Sequence, residues 1–433
     1  MFLLNYIYFF IITYFGIKFL FSNGDVIKSP FDKTIKLKLN GPEMFWCLTF
    51  STGLIALSAP GAIDLMALRL MVLEILCFIG LFITKDKPIW SLPLVVYAIY
   101  ICWIIIGCVY SPVPFYGIRV VLKYLYPILI CLFASAAVRY CEVFIKSALL
   151  ARTVAIVTIV FAFTPLIGNL VPGVFWYGTA GAINYISMMI LSLTLFYFTN
   201  EKRKNILLAL LFIFPCFLWV FRTSIVGSFI ALFTFFFYKY NIKAIPAMIG
   251  IVIVAISLMF AIPSVREKMF YSPEGKSADM LYEGGISSDD IDSNGRFAMW
   301  DWSLKHFYEK KELTGSGTGN LQETFYMLRH PFGTIRICHN DYVQILCDNG
   351  LIGLILYVGA YFCILLHTFK VYNTRRYPNY IRMSALIAGP ALAGVMFTAY
   401  TDNAINYTMA TFSMPLGFYG MMLGMTHHFE YTE

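Results

Sequence analysis

Charged residues are scarce in this sequence. Lys, Arg, Asp and Glu make up 13% of the 433 residues, whereas a soluble globular domain carries about 25%. Hydrophobic residues reach 59%, and the mean hydropathy is +0.73. This composition excludes a soluble protein, and we expect no nucleic-acid partner.

The sequence also lacks the short motifs of a metal site or a disulfide framework. Its ten cysteines include no CxxC pair, and most lie in apolar runs, where a thiol behaves as a small hydrophobe. His306, His330 and His339 lie in or beside one polar segment, which also contains the acidic run Asp289-Asp290-x-Asp292. Because their spacing matches no metal-ligand pattern, we expect neither a metal nor a cofactor.

Apolar runs long enough to cross a bilayer recur along the chain. About 20 apolar residues span a bilayer as a helix, and a helix satisfies its own backbone inside lipid. We therefore predict an all-α polytopic membrane protein with about 12–13 transmembrane helices, depending on whether residues 1–22 span or lie on the surface. The predicted spans are 2–22, 44–60, 62–83, 89–110, 119–138, 149–168, 180–199, 206–221, 223–239, 244–262, 349–369, 383–400 and 404–425.

The connections between these spans alternate in basic content. Lys and Arg follow every second span, and the turns at 61, 111–118, 169–179 and 401–403 contain neither. By the positive-inside rule the basic connections are cytoplasmic. The long polar segment then forms one large extracytoplasmic loop before the last three helices. Four regions result: an additional N-terminal transmembrane helix at 1–22, a bundle at 44–262, the loop with amphipathic helices at 263–348, and C-terminal helices at 349–425.

The strongest local pattern is His339-Asn340, followed by helical spacing of apolar residues and then Gly350-x-x-Gly353. It predicts a short helix that breaks before the next span, with His339 at its mouth on the outer face. An imidazole there can act as a general base near neutral pH. The alternative is a surface histidine that caps the helix. Asp402, at the outer end of the twelfth span, is a candidate to orient His339 or an arginine.

An amphipathic helix is predicted from Arg296 onward. Four large apolar side chains share one helical face, which is typical of a helix at the membrane surface: Phe297, Trp300, Leu304 and Phe307. The run Gly315-x-Gly-x-Gly319 follows, and such a turn can present N–H groups to an anion.

Further basic residues lie at predicted outer helix ends. Arg222 interrupts two apolar runs, and a charge at bilayer depth costs roughly 2.5–3.5 kcal/mol, so such residues usually pair or bind a ligand. Arg119 and Lys123 are spaced i, i+4 and repel unless an anion lies between them; snorkelling to lipid headgroups is the alternative. Arginine suits a pyrophosphate because its fork binds bidentately. Beside a histidine base, these residues indicate sugar transfer from a lipid-linked pyrophosphate donor.

The order of these motifs resembles the O-antigen ligase/polymerase superfamily of bacterial envelope enzymes. Three features carry the resemblance, which spans about residues 44–425: Arg222-Thr223, Arg296…Trp300…Gly315-x-Gly-x-Gly319, and His339-Asn340 running into Gly350-x-x-Gly353-Leu354. It implies an inverting, metal-independent glycosyltransferase of the cytoplasmic membrane that uses undecaprenyl-pyrophosphate-linked glycans. His339 would be the base, supported by Asn340, and Arg222 and Arg296 would bind pyrophosphate. Phe221, where the family often has serine, and the segment 1–22 depart from the family pattern.

The acceptor is not specified by these motifs. Polymerases of this superfamily join one lipid-linked glycan to another, and ligases transfer the glycan to lipid A-core. We expect an O-antigen or capsule polymerase because polymerases are the more varied group, with a ligase as the alternative. A polysaccharide transporter or flippase is the rival from another class, but internal repeats and midplane charges other than Glu74 are lacking. The expected partners are a lipid-linked oligosaccharide donor, a glycan or lipid acceptor, and other polysaccharide export proteins.

Overall fold

The computed structural model of the protein describes residues 2–28, 36–55, 65–163, 179–218, 222–261 and 295–432. Predictions that concern Phe221, the turn at 61, residues 169–178 and most of the polar loop up to residue 294 therefore lie outside the described residues. The acidic run at 289–292 is among them.

Helices dominate the described chain. Before the polar loop they are α1 (Phe2–Leu20), α2 (Gly41–Thr52), α3 (Leu65–Ile83), α4 (Leu92–Val109), α5 (Pro114–Ala137), α6 (Cys141–Phe163), α7 (Thr179–Phe198), α8 (Lys202–Leu218), α9 (Arg222–Tyr240) and α10 (Ile245–Ala261). The short α11 (Arg296–Ser303) and α12 (Asn320–Tyr326) follow, and then α13 (Asp341–Asn373), α14 (Asn379–Thr401) and α15 (Ser413–Thr432). An antiparallel hairpin of β1 (Asp25–Lys28) and β2 (Lys36–Leu39) lies between α1 and α2 in the chain.

The predicted fold class is confirmed. Seven of the described helices are long and apolar enough to cross a membrane, namely α3, α4, α5, α6, α9, α13 and α14, and shorter apolar helices lie within α1 and α7. Each of the thirteen predicted spans overlaps a described helix of at least twelve residues. The chain is a polytopic helical membrane protein, because each apolar segment satisfies its backbone N–H and C=O groups within its own helix inside lipid.

The helices α5 and α14 lie at the centre of the bundle, where most of their residues are buried. Buried tyrosines of α4, α5 and α13 pack edge to face beside α5: Tyr97, Tyr100, Tyr124, Tyr357 and Tyr361. At one end of the bundle, Lys123 of α5 donates to Asn406, which lies just beyond α14. At the other end, Arg139 donates to the carbonyls of Lys87 and Gly424. The end that carries Lys123 also contains the candidate site.

A break at Gly350 divides α13, as its glycine spacing predicted. The backbone there has φ 68° and ψ −170°, a region essentially restricted to glycine. The run Gly315–Gly319 wraps around this break, since Gly317 N–H donates to the Asp348 carbonyl at 2.9 Å. On the other side of the break, Leu351 N–H donates to the Glu312 carbonyl at 2.8 Å. The break thus joins the last part of the polar loop to the bundle.

Replacing Gly350 with alanine should destabilise the protein by about 1–3 kcal/mol, the usual cost of a non-glycine residue in such a conformation. The new Cβ would also meet the backbone of Leu313 and Thr314. The measurement is the thermal unfolding temperature of the purified protein. Gly359→Ala is the matched control, because Gly359 lies in the same helix with no atom within 4 Å of an added Cβ. Equal unfolding temperatures for the two variants would contradict the strain at Gly350.

Candidate active site

A single segment between α14 and α15, residues 401–407, connects the residues that the sequence analysis selected. Thr401 ends α14, and Ala404–Tyr407 form one 3₁₀ turn. The predicted last span began at 404, but α15 begins at Ser413. The hydroxyls of Thr411 and Ser413 donate back to the carbonyls of Ala404 and Thr408, which holds this stretch as a compact turn.

His339 lies against the middle of this segment. Its Nδ1 is 3.3 Å from Asp402 Oδ1. Because a carboxylate only accepts hydrogen bonds, a hydrogen bond here requires the proton on Nδ1, and in the neutral ring Nε2 is then the acceptor. The His339 side chain is 29% exposed and that of Asp402 only 6%. The structure therefore brings Asp402 and His339 into contact.

The backbone of His339 is held in an uncommon conformation. Its φ is 53°, in the left-handed region that costs a non-glycine residue free energy and is found at functional sites. The Asn403 Oδ1 accepts from His339 N–H at 2.6 Å and secures this turn. Asn340 follows as the N-cap of α13 and accepts from Tyr342 N–H and Val343 N–H. Asn340 rather than His339 therefore caps the helix.

Sequence reasoning missed Asn403. Its side chain is fully buried, and its Nδ2 donates to Asp341 Oδ1 at 2.9 Å and to Gln344 Oε1 at 3.0 Å. Asp341 also accepts from Ile405 N–H at 3.0 Å. These bonds attach the first turn of α13 to the 401–407 segment. The available signal was the polar run Thr401-Asp402-Asn403 between two apolar spans.

The helix α11 joins the two sides of this site. Arg296, its first residue, donates from Nη1 to the Thr401 carbonyl at 2.5 Å. One turn later, Trp300 Nε1 donates to the Cys338 carbonyl at 2.9 Å, directly before His339. Burial raises the pKa of the Cys338 thiol to about 12, so this thiol stays protonated and is a poor nucleophile. The predicted apolar face is packed only in part, since Trp300 is buried while Phe297 is half-exposed.

Arg222 directly precedes a residue that bonds to the same end of the 401–407 segment. It is the half-buried first residue of α9. The neighbouring Thr223 Oγ1 accepts from the Thr401 hydroxyl at 3.0 Å. Thr401 therefore bonds both to Arg296 and to the residue next to Arg222. Thr401 thus connects Arg296 with the start of α9, which contains Arg222.

Arg119 and Lys123 lie at the far end of the segment. Lys123 Nζ donates to Asn406 Oδ1 at 2.7 Å. The Gln322 amide, from α12, donates to the same oxygen at 2.8 Å. Thr401 and Asn406 are five residues apart, which limits their separation to about 18 Å. The four predicted pyrophosphate ligands thus form two groups, with His339 between them.

The glycine run does not present an anion site. The amides of Ser316, Gly317 and Thr318 donate to backbone carbonyls, and those of Gly319 and Leu321 donate to the buried Asp348 carboxylate at 3.0 and 2.8 Å. The run is therefore a structural clamp.

The other two histidines of this region have different surroundings. His306 Nδ1 bonds to the Trp302 carbonyl, and His330 Nε2 bonds to the Ile335 carbonyl. In the described part of the chain, no group of three or more His, Cys, Asp or Glu residues could hold a metal ion. The histidines do not converge on a shared ligand position with His339.

A family model described as O-Antigen ligase matches residues 206–358. The match includes Arg222, Arg296 and His339, while Arg119, Lys123 and Asp402 lie outside it. No curated protein matches the chain. The family match supports the resemblance inferred from the sequence to the O-antigen ligase/polymerase superfamily, over residues 206–358.

Proposed function

We propose that the protein is a glycosyltransferase that polymerises lipid-linked oligosaccharide units at the outer face of the bacterial cytoplasmic membrane. The observation that carries the proposal is the convergence on residues 401–403 of Arg296, His339 and Thr223, the residue that follows Arg222. The superfamily match supports a ligase or polymerase role. The outward orientation follows from the absence of Lys and Arg in the turn at 401–403.

The proposed donor is a glycan linked to undecaprenyl pyrophosphate. As the acceptor hydroxyl approaches, His339 Nε2 removes its proton, and the acceptor oxygen bonds to the anomeric carbon of the donor. The bond from that carbon to the pyrophosphate oxygen breaks on the opposite face, which inverts the anomeric centre. Undecaprenyl pyrophosphate leaves with the electron pair, and Asp402 stabilises the imidazolium.

The two arginines would stabilise the leaving group. A pyrophosphate gains negative charge as it departs, and fixed cations aimed at that charge lower the barrier. Arg296 is oriented by its bond to the Thr401 carbonyl. Arg222 directly precedes Thr223, which accepts a hydrogen bond from the Thr401 hydroxyl. Bidentate contacts from guanidinium groups fit phosphate oxygens. In this proposal the arginines supply the charge, so neither a metal nor a cofactor takes part.

A ligase that transfers the glycan to lipid A-core is the second candidate, because the matching family model is described as O-Antigen ligase. A ligase would use the same base and the same donor. Only the acceptor would differ.

Deletion of the encoding gene in the source organism separates these functions. A lost polymerase should leave single repeat units on the cell surface, and this is the expected result. Full-length polymer that remains on its lipid carrier would instead identify a ligase. A cell with no surface-exposed intermediate would contradict both functions and indicate a flippase. Electrophoresis of surface glycans and of extracted carrier lipid gives the answer.

A further inference from the structure

A cavity of about 840 Å³ opens beside the 401–407 segment, between α3, α5 and the polar segment that follows α11. Ligand sites usually occupy about 300–1,000 Å³. Most of its lining is apolar and comes from α3 and α5, including Met66, Leu70, Met71, Ile118 and Leu122. Gln322, Asn406 and Thr408 are uncharged polar residues of its lining. The cavity is large enough for a headgroup and the first part of an apolar chain.

Three cations face this cavity. Arg119 and Lys123 are one turn apart on α5, and Arg336 comes from the segment between α12 and α13. Among the described residues that line the cavity, none is acidic. Like charges at i, i+4 destabilise a helix, and a low-dielectric cleft with charge of one sign attracts the opposite charge. The cavity is therefore complementary to a multiply charged anion.

Aromatic rings keep the two guanidinium groups at the cavity wall. Arg119 lies over the Tyr116 ring at 5.8 Å, and Arg336 lies over the Tyr326 ring at 5.7 Å. The two rings are 6.1 Å apart. Guanidinium groups on aromatic faces keep their planar donors available at the edge. This arrangement suits phosphate oxygens.

The rim of the cavity is apolar and exposed. Phe115 is 87% exposed, Ile118 52% and Met71 46%. All three belong to membrane-spanning helices or to their ends, where such side chains face lipid rather than water. A ligand that enters here would pass its charged group between the cations and leave an apolar chain along this rim.

We propose that this cavity binds the phosphate group of a second lipid, the lipid-linked acceptor, apart from the donor pyrophosphate at Arg222 and Arg296. The name acceptor rests on the proposed function; the lipid-phosphate site rests on the cavity alone. Asn406, which lines the cavity, has its Cα within about 18 Å of the Thr401 Cα. His339 contacts Asp402 and Asn403, which lie between them in the chain. A glycan that extends from the bound acceptor phosphate can therefore bring a hydroxyl to His339 while the donor occupies the other end.

The test counts bound lipid on purified full-length protein by native mass spectrometry, with undecaprenyl phosphate as the probe. The wild-type protein should bind two molecules. Arg119→Gln/Arg336→Gln should lose one, with affinity at the cavity reduced about tenfold or more, as loss of charged hydrogen bonds implies. Arg222→Gln/Arg296→Gln should lose the other. The exposed pair Lys311→Gln/Arg329→Gln is the matched control and should bind two.

Several outcomes would overturn the inference. A wild-type protein that binds a single lipid, lost only in Arg222→Gln/Arg296→Gln, leaves the proposed function intact and removes the second site. Equal binding of uncharged undecaprenol would show that the phosphate is not recognised, and displacement by inorganic pyrophosphate alone would identify a site for a free anion.

If the glutamine variants fail to fold, Arg119→Lys/Arg336→Lys replaces them: a weakened second site supports guanidinium recognition, and unchanged binding contradicts it. Loss of a lipid in the cavity variant, with none lost in Arg222→Gln/Arg296→Gln, supports the cavity and refutes the donor site.

Discussion

Replacing His339 with alanine is expected to abolish polymer formation while the protein still folds and inserts. A general base contributes about 10²–10⁴-fold to a rate, enough to remove the ladder of chain lengths on a gel. The fold should tolerate the change, because alanine retains the backbone N–H that donates to Asn403. The lost side chain is part-exposed and makes one hydrogen bond, to Asp402.

The measurement for His339→Ala is the surface glycan ladder from cells that contain only the variant, together with its level in the membrane. His306→Ala is the matched control, since His306 is an exposed histidine of the same region whose ring nitrogen bonds to the Trp302 carbonyl. It should give normal ladders. Normal chain lengths from His339→Ala at an equal membrane level would refute the base assignment.

Exchange of Arg222 for lysine should lower the rate of glycan transfer by about 10²–10³-fold, the usual cost of removing one group that stabilises a developing negative charge. Lysine keeps the charge but loses the planar fork that binds phosphate bidentately. The helix dipole does not favour a cation at this position. A cation at the first residue of α9 opposes the helix dipole by about 0.3–1 kcal/mol, and lysine would carry the same cost.

The assay for Arg222→Lys is transfer from a lipid-linked donor by membranes that contain a known amount of the variant. The expected loss falls mainly on kcat, since the leaving-group charge develops in the transition state. Arg329→Lys is the matched control, because Arg329 is exposed and pairs with Glu323 at 3.3 Å. Near-native transfer by Arg222→Lys would reduce Arg222 to a structural anchor.

The helical fold was predictable from the sequence because its signals are local. A run of about 20 apolar residues crosses a bilayer whatever its neighbours do, and every predicted span overlaps a described helix. The break in α13 was also predictable, since Gly350 adopts a conformation that other residues rarely reach. Helix ends were less accurate. The last span was predicted from 404, but α15 begins at Ser413 because hydroxyl contacts within the chain stabilise a turn there.

Most of the candidate-site residues that the sequence predicted are ionisable. Arg222, Arg296 and His339 stand out because ionisable groups are rare in so apolar a chain. Asn403 carries no charge and belongs to no motif, yet it bonds to His339, Asp341 and Gln344. Polar side chains of this kind are identified by their partners, and the partners here are about 60 residues away in the chain.

The sequence by itself determined that this is a helical membrane protein, and it determined which rare ionisable residues lie at the ends of its helices. Both properties depend on hydropathy and on short spacings along the chain. Only the tertiary structure decided that Arg119 and Lys123 line a cavity apart from Arg222 and Arg296. It also decided that the glycine run clamps α13 instead of presenting its amides to an anion. These outcomes depend on long-range packing, because the end of α14 and the start of α13 must meet before any hydrogen bond can form across them.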